Sequence, residues 1–399
     1  MTRSQTAMAA AAEAAAASAV AERLPEEIID EILSRLPAKS LIRFRCVCKW
    51  WRSLISDRGF AKSHLQRLKA RDMVSSQRIV KSDPIETIDY EAFDGGGADG
   101  RMAAWSHDLG NDDPRSMLVI VGSCDGLVCF EVWGGFFLYN PTTGESRNVP
   151  ISDLDLIGEG EFFNGFGYDP AVDDYKIVHA YYYDGHLGGV EDPGMWRVAI
   201  FSLKSGSWRR MEVQLDIHPR GFHGNNSGLG FEWHKSRRGI CWNGALHWCL
   251  EYKELNNRGF YDSGPVIVSF NLSEDKFHEE LPVPKFTQIP TPTTTISIVG
   301  LGIHGANLLM YVGTPTIFMA WIMRENTRGG SWKKLSRSPS RTQEAEIVFE
   351  LGSSEMILFN PKREWGNVEL HYPTRAYGGS AIYIEIFVSP YLGCEPSRI

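Results

Sequence analysis

The sequence lacks the short motifs that announce most enzymes. Among its 399 residues there is no HExxH, GxSxG, Walker loop or EF-hand pattern, which removes the usual zinc-protease, serine-hydrolase, P-loop and calcium-site readings. Cysteine is sparse and odd in number, seven in all, without a CxxC pair or a histidine at finger spacing. That argues against zinc and for reduced, buried thiols in a cytosolic or nuclear protein. Long hydrophobic runs are missing too. The longest apolar stretch, Ser297–Met323, is broken by four Gly, His304, Asn307 and Pro315, and reads as strands with turns rather than a membrane span. The alanine-rich start (Ala9–Ala12, Ala14–Ala17) has no strong apolar core for a signal peptide, and Glu13 and Glu22 count against a transit peptide. Residues 1–22 are therefore expected to be a disordered tail.

What is present is aromatic and glycine-rich. Aromatics make up 12% of the chain, with 12 Trp and 39 Gly, a mixture that favours strands and tight turns over long helices. The length suits one small module with one large domain, or two or three ordinary domains. The formal net charge of −8 is uneven: Pro37–Arg78 holds eleven Lys/Arg against two Asp/Glu. Because those basic residues are interleaved with a helical apolar stripe, they read as the wet face of short helices rather than a nucleic-acid surface.

Residues 24–57 read LPEEIIDEILSRLPAKSLIRFRCVCKWWRSLISD. Pro25 suits the first turn of a helix, and Glu26, Glu27, Asp30 and Glu31 complement its dipole. Ile28, Ile32 and Leu36 recur at i+4, with Ile29 and Leu33 widening the stripe, and Pro37 stops the helix. A second short helix follows from Lys39 with Leu41, Phe44 and Val47 on one side, and a third carries Trp51, Leu54 and Ile55. Roughly ten large apolar residues in about 35 positions are too few for a self-sufficient core. The stripe must bury against something else, either the downstream domain or another protein.

The run Leu24-Pro25, Ser34-Arg35-Leu36-Pro37, Lys39-Ser40-Leu41, Arg43 through Lys49 and Trp51-Arg52-Ser53-Leu54-Ile55, closing at Phe60, resembles an F-box. The resemblance implies three helices that bind a Skp-type adaptor and, through it, cullin and RING subunits. Carried onto this chain, the expected adaptor contacts are Leu24, Pro25, Ile28, Ile32, Leu41, Val47 and Trp51. Trp50 departs from the family, standing where a smaller residue is usual.

From Met117 the texture is strand and turn. Two half-units recur loosely: a turn then a strand (CDGLVCFEV, WNGALHWCL, HGANLLMYV, GSSEMILFN), and an aromatic strand then a polar turn (LYNPTTGES, IFSLKSGSW, SFNLSEDKF, WIMRENTRGGSW, LFNPKREWG). Their aromatics Tyr139, Phe201, Phe270, Trp321 and Phe359 fall 62, 69, 51 and 38 residues apart, so the units are irregular. Repeated small antiparallel sheets that bury their faces on one another give a propeller-like array, whose blade number does not follow from the spacing. This stretch is similar to the F-box-associated, kelch-like domain of plant F-box proteins. The similarity rests on Gly122 through Leu127, Tyr139-Asn140-Pro141-Thr142-Thr143, Phe166 through Pro170 with Asp174-Tyr175-Lys176-Ile177-Val178, Asn243 through Trp248 and Ser269-Phe270-Asn271-Leu272. Trp321, Met323, Glu325, Trp332 and Lys333 fit its later segment. The acidic, glycine-rich stretches 153–165 and 184–194 depart from it.

The expected organisation is an α+β multidomain chain: a tail at 1–22, a small three-helix F-box at 23–62, a connector and flexible loop at 63–116, and a mainly antiparallel, all-β, propeller-like domain at 117–392. The glycines at 95–100 read as part of that loop rather than a phosphate cradle. Asp169, Asp173 and Asp174 read as a solvated turn, and His218, His223 and His234 as polar surface rather than a metal site. The resemblance implies a non-catalytic substrate receptor of a Skp-cullin-F-box ubiquitin ligase, which marks a protein for proteasomal degradation by proximity. No cofactor, metal, nucleic acid or membrane partner is expected, and the compartment is cytoplasm, nucleus or both. Exposed aromatics and Arg make good anchors, which nominates Tyr182, Tyr183, His186, Trp196, Phe222, His223, Trp233 and Arg237 for the protein target. Two other readings stay open: a propeller scaffold that uses the F-box without ubiquitination, and a carbohydrate-binding propeller.

Overall fold

Two prolines set the helical starts. Pro25 and Pro37 take extended backbone, and their carbonyls accept the first amides of the helices that follow. The helices are α1 (Glu26–Leu33), α2 (Ala38–Phe44), α3 (Lys49–Ser56) and α4 (Arg58–Ala70). Cys48 caps α3 through its sulfur, which accepts the Trp51 amide at 3.4 Å, and Asp57 Oδ2 accepts the Phe60 amide at 3.0 Å. The computed structural model describes residues 24–70, 77–82, 85–89, 103–106, 118–132, 135–150, 161–183, 195–215, 238–255, 261–284, 298–304, 307–313, 318–324, 331–334, 347–351, 355–359, 368–371 and 380–391. The chain divides into two compact units, Met1–Arg71 and Asp72–Ile399.

In the first unit the buried apolar set is Leu33, Ala38, Leu41, Ile55, Phe60, Ala61 and Leu65. The compact unit runs past residue 62, the expected end of the F-box. Helix α4 continues to Ala70 because Leu65 and His64 are buried in the same unit. His64 Nε2 donates to the Leu36 carbonyl at 2.8 Å, tying α4 to the turn between α1 and α2. Burial holds that imidazole below its ordinary pKa. A second tie is ionic. Glu31 on α1 receives Arg67 of α4 through both carboxylate oxygens, and Arg35 one turn along. Hydrogen bonds from Arg67 and then Arg35 pull the Glu31 carboxyl down to about 2.

The second unit is built from antiparallel sheets laid face to face. Among the described residues its strands are β1 (Gln77–Ser82), β2 (Ile85–Asp89), β3 (Ala103–Ser106), β4 (Val119–Cys124), β5 (Leu127–Val132), β6 (Gly135–Tyr139), β7 (Ser146–Val149), β8 (Glu161–Asp169), β9 (Asp174–Tyr183), β10 (Met195–Ser202), β11 (Ser207–Val213), β12 (Arg238–Trp242), β13 (Ala245–Leu255), β14 (Tyr261–Asn271), β15 (Lys276–Leu281), β16 (Ile298–His304), β17 (Asn307–Gly313), β18 (Phe318–Met323), β19 (Lys333–Lys334), β20 (Ile347–Leu351), β21 (Glu355–Phe359), β22 (Val368–His371) and β23 (Ser380–Ile384). They group into six blades, β23-β1-β2-β3, β4–β7, β8–β11, β12–β15, β16–β19 and β20–β22, of which the third and fourth are joined into one eight-stranded sheet. The third and fourth blades touch through a short parallel pairing of β8 and β12, Asn164 with Arg238 and Gly165 with Gly239.

The reading of 63–116 as connector and loop is overturned for the described part. Strands β1, β2 and β3 form a blade with β23, so the first blade mixes the start of the unit with its end. The partner of β1 lies about 300 residues away, and no local pattern reports it. Glycines 95–100 lie outside the described residues. The acidic stretch 153–165 is corrected in part, since residues 161–165 open β8.

Stacking explains why several strands read as unbroken apolar runs. In β5, Leu127 and Cys129 enter a cluster shared with Phe166, Tyr175, Ile177 and Phe201 of the third blade, while Val128 and Phe130 enter one shared with Val80, Ile85 and Tyr383 of the first. Both faces of the second blade are covered, so alternation gives way to continuous hydrophobicity. On the other side of the third blade, Phe163, Val178 and Val198 meet Leu246, Trp248 and Phe270 of the fourth. Trp248 needs glycine beneath it: a Cβ added at Gly165 or Gly239 would lie 2.8 or 2.7 Å from its ring. Its Nε1 donates to the Asn164 carbonyl at 2.7 Å.

The tight turns follow their sequences. Asp125-Gly126 and Asn243-Gly244 both have positive φ at two successive residues, the hairpin geometry that Asp-Gly and Asn-Gly favour. In the polar turns, Asn140 Oδ1 accepts the amides of Thr142 and Thr143, and Asn271 Oδ1 those of Ser273 and Glu274.

Asp169 and Asp174 are buried, which corrects their reading as a solvated turn. Lys176 Nζ lies 2.7 Å from Asp169 Oδ2 and donates to Asp275 Oδ1 at 3.0 Å and to the Leu272 carbonyl at 2.5 Å. Ser273 Oγ donates to Asp169 Oδ1 at 2.6 Å. The Asp-Pro-x-x-Asp-Asp-Tyr-Lys run therefore bolts the third blade to the β14–β15 turn of the fourth. Burial pushes the Asp169 carboxyl up, but the Lys176, Ser273 and Ala171 hydrogen bonds outweigh it and hold it below its ordinary value. Past β23, residues 386–388 run along the second blade, where Asn140 Nδ2 donates to the carbonyls of Ile386 and Val388 at 2.9 and 2.7 Å.

Candidate functional site

Residues one helical turn apart share a face, so Ile28 and Ile32 line up along α1, and Leu24 precedes them just before the helix begins. Leu24, Ile28 and Ile32 are 57%, 47% and 48% exposed, and Val47, beyond α2, is 60% exposed. Pro25 is exposed beside them. Of the five large apolar side chains exposed among the described residues, these are four, and the fifth is Val172 in the β unit. Full burial of one such side chain is worth about 1.5–3 kcal/mol. Leu24, Ile28 and Ile32 together form an exposed apolar row on and just before this short helix.

The stripe is held in place from behind. Leu33, next to Ile32, turns inward, and the Glu31 clamp fixes α1 against α4 through Arg67. The Arg35–Glu31 pair was legible from i,i+4 spacing. Nothing local pointed to Arg67, which lies 36 residues from Glu31. Glu26, Glu27 and Asp30 are exposed along the same helix and give the stripe an acidic rim.

Two of the expected contacts sit differently. Leu41 has no exposed surface and belongs to the interior of the unit, so it cannot face a partner. In a helix as short as α2 the apolar residues do not reveal which side is covered by neighbours. Trp51 is partly buried, its ring 5.5 Å from that of Phe44. Trp50 is also partly buried and leaves α3 intact.

For the target-binding candidates the structure separates three groups. Trp196 is 3% exposed and packs its ring 4.8 Å from Phe163 in the core between the third and fourth blades. It is a core residue rather than a loop anchor, because β10 begins one residue earlier, at Met195. Tyr182 and Tyr183 belong to strand β9, paired with Trp196 and Met195, rather than to a loop. His186, Phe222, His223, Trp233 and Arg237 lie outside the described residues, as do His218 and His234. Among the described residues no three His, Cys, Asp or Glu come together as a metal site.

The two buried imidazoles of the β unit, His179 and His247, are hydrogen-bonded within it. His179 Nδ1 donates to Asn164 Oδ1 at 2.5 Å, and Asn164 Nδ2 donates to Glu131 Oε2 at 2.8 Å. His247 Nε2 donates to the Trp242 carbonyl at 3.2 Å, so its Nδ1 accepts from Ser269 Oγ at 2.8 Å. Burial holds both imidazoles down at about 4. No helix among the described residues is long and apolar enough to cross a membrane.

Comparison with known proteins agrees with this division. Residues 22–63 match the F-box domain, and residues 104–362, more than half of the chain, match the F-box associated beta propeller domain. An F-box/kelch-repeat protein of Arabidopsis thaliana is 30% identical over 384 residues, covering 90% of this chain and 93% of that protein. The F-box protein CPR1 of Arabidopsis thaliana is 26% identical over 318 residues, covering 75% of this chain and 69% of that protein. With a helical module followed in the chain by a bladed β unit, and with these matches, the chain belongs to the F-box proteins that carry an F-box-associated β-propeller domain.

Proposed function

We propose that this protein is the substrate-receptor subunit of a Skp-cullin-F-box ubiquitin ligase. The observation that carries the reading is the exposed row Leu24, Ile28 and Ile32 with Val47, set on a module clamped by Glu31 and Arg67. These side chains dock a Skp-type adaptor, which links the chain to cullin and RING subunits. An interface of ordinary size buries about 1,600 Å² in total and draws most of its energy from a few apolar anchors, and this row supplies them. The β unit binds the target protein. It needs no active site, because holding the target near a charged conjugating enzyme is itself the catalysis.

The test is affinity capture of the full-length protein and of a Leu24→Ala/Pro25→Ala variant, each with the proteasome blocked. The reading expects adaptor and cullin with the full-length chain only, and ubiquitinated partners that accumulate when degradation stops. A full-length capture without adaptor would overturn it. Adaptor capture without any ubiquitinated partner would favour a scaffold that uses the F-box without ubiquitination.

A further inference from the structure

Two thiols meet between blades that are not neighbours in the chain. Cys124 ends β4 in the second blade, and Cys241 lies in β12 of the fourth. Their sulfurs are 3.8 Å apart although the residues are separated by 117 positions. Glycines make the approach possible. An added Cβ at Gly167 of β8 would lie 2.8 Å from Cys241 Sγ, and one at Gly122 of β4 would lie 3.4 Å from the Gly239 carbonyl of β12. These strands pack closely because side chains are missing where they cross.

The sulfurs are in van der Waals contact, and a disulfide requires about 2.05 Å, so bond formation needs an approach of roughly 2 Å. Both residues keep partial solvent exposure, whereas Cys129 and Cys249 are buried. Cys46 and Cys48 are exposed but belong to the helical unit, where the Cys48 sulfur caps α3.

We propose that Cys124 and Cys241 are a redox pair that closes reversibly to a disulfide under a peroxide oxidant and joins the second and fourth blades covalently. One thiolate attacks the peroxide O–O bond and becomes a sulfenic acid, releasing water after protonation. The second thiol attacks the sulfenic sulfur, forms the S–S bond and expels the second water. Two thiols thus lose two electrons and two protons, and one hydrogen peroxide becomes two waters. A dithiol restores the pair. Because the bond closes a long loop, it constrains the unfolded chain strongly and resists opening of these blades.

The experiment treats reduced full-length protein with hydrogen peroxide at low molar ratio, then alkylates under denaturing conditions and maps peptides without reductant. The expected result is a linked peptide pair holding Cys124 and Cys241, lost on dithiothreitol treatment, and a higher thermal midpoint in the oxidised protein. Cys124→Ser removes both signals, and Cys46→Ser leaves both. Cys124 and Cys241 still alkylated at peroxide levels that already oxidise Cys46 and Cys48, or either one linked to a different cysteine, would overturn the proposal. The wild-type map decides the matter even if Cys124→Ser does not fold.

Discussion

The two units of this protein treat large apolar side chains in opposite ways. The helical unit buries Leu33, Leu41, Ile55, Phe60 and Leu65 and leaves Leu24, Ile28, Ile32 and Val47 in water. The β unit stacks its blades so that strands such as β5 are covered on both faces, and among its described residues only Val172 is a large apolar side chain left exposed. Among the described residues, one unit covers nearly all its large apolar side chains and the other leaves a row of them in water. Substitutions should therefore divide into those that unfold and those that unbind.

The largest stability effect is expected in the β unit. Trp248→Ala removes a fully buried indole that fills the space above Gly165 and Gly239, and leaves the Asn164 carbonyl without its donor. A loss of about 3–5 kcal/mol is expected, read by urea unfolding followed through aromatic fluorescence. Adaptor binding should survive at temperatures below the lowered transition. Next comes the ionic bolt. Lys176→Met strands buried Asp169 beside Asp275, and breaking a buried pair from one side costs about 3–5 kcal/mol. A Lys176→Met/Asp169→Leu double variant should recover much of that loss.

In the helical unit the contrast is sharpest between two neighbours in type. Leu41→Ala should destabilise by about 2–5 kcal/mol, because Leu41 is core. Ile28→Ala should change stability by less than about 0.5 kcal/mol and still weaken adaptor binding. Circular dichroism melts beside a binding titration separate the two outcomes.

Acid gives a smaller, graded effect. His179 and His247 are held near 4 in the fold against an ordinary 6.5, so the unfolded chain takes up more protons between those values. Stability is fully present above about pH 6.5 and falls as the pH drops toward 4, by about 2 kcal/mol for each histidine at pH 5. The Glu31 clamp behaves differently. Its carboxyl, held at about 2, keeps its charge well below the ordinary carboxylate range and gives way only as the pH falls toward that value. Denaturant midpoints at pH 7 and pH 5, with His247→Gln as control, check the histidine effect.

Much of this contrast was legible in the chain because it is local. A stripe at i, i+4 and i+8 with too little apolar surface to bury itself must be covered by something, though the stripe does not say by what, and Asp-Gly and Asn-Gly turns report their own backbone. What was not legible depended on distant partners. Leu41 looked like a contact because a helix of this length does not say which side its neighbours cover. Strands β1–β3 looked like a connector because β23, which completes their blade, is about 300 residues away. Asp169 and Asp174 looked solvated because their partners, Lys176 with the β14–β15 turn and Ser202 with Lys204, are brought in by the stacking of blades and strands.

The most direct measurement is the affinity of the full-length protein for a purified Skp-type adaptor, compared with an Ile28→Asp/Ile32→Asp variant of matched helicity and melting temperature. Two charges on the stripe should weaken binding by at least about 100-fold, as expected for losing two interface anchors. Binding within a few-fold of the unaltered protein would contradict the claim that this exposed row is the half-interface on which the function rests.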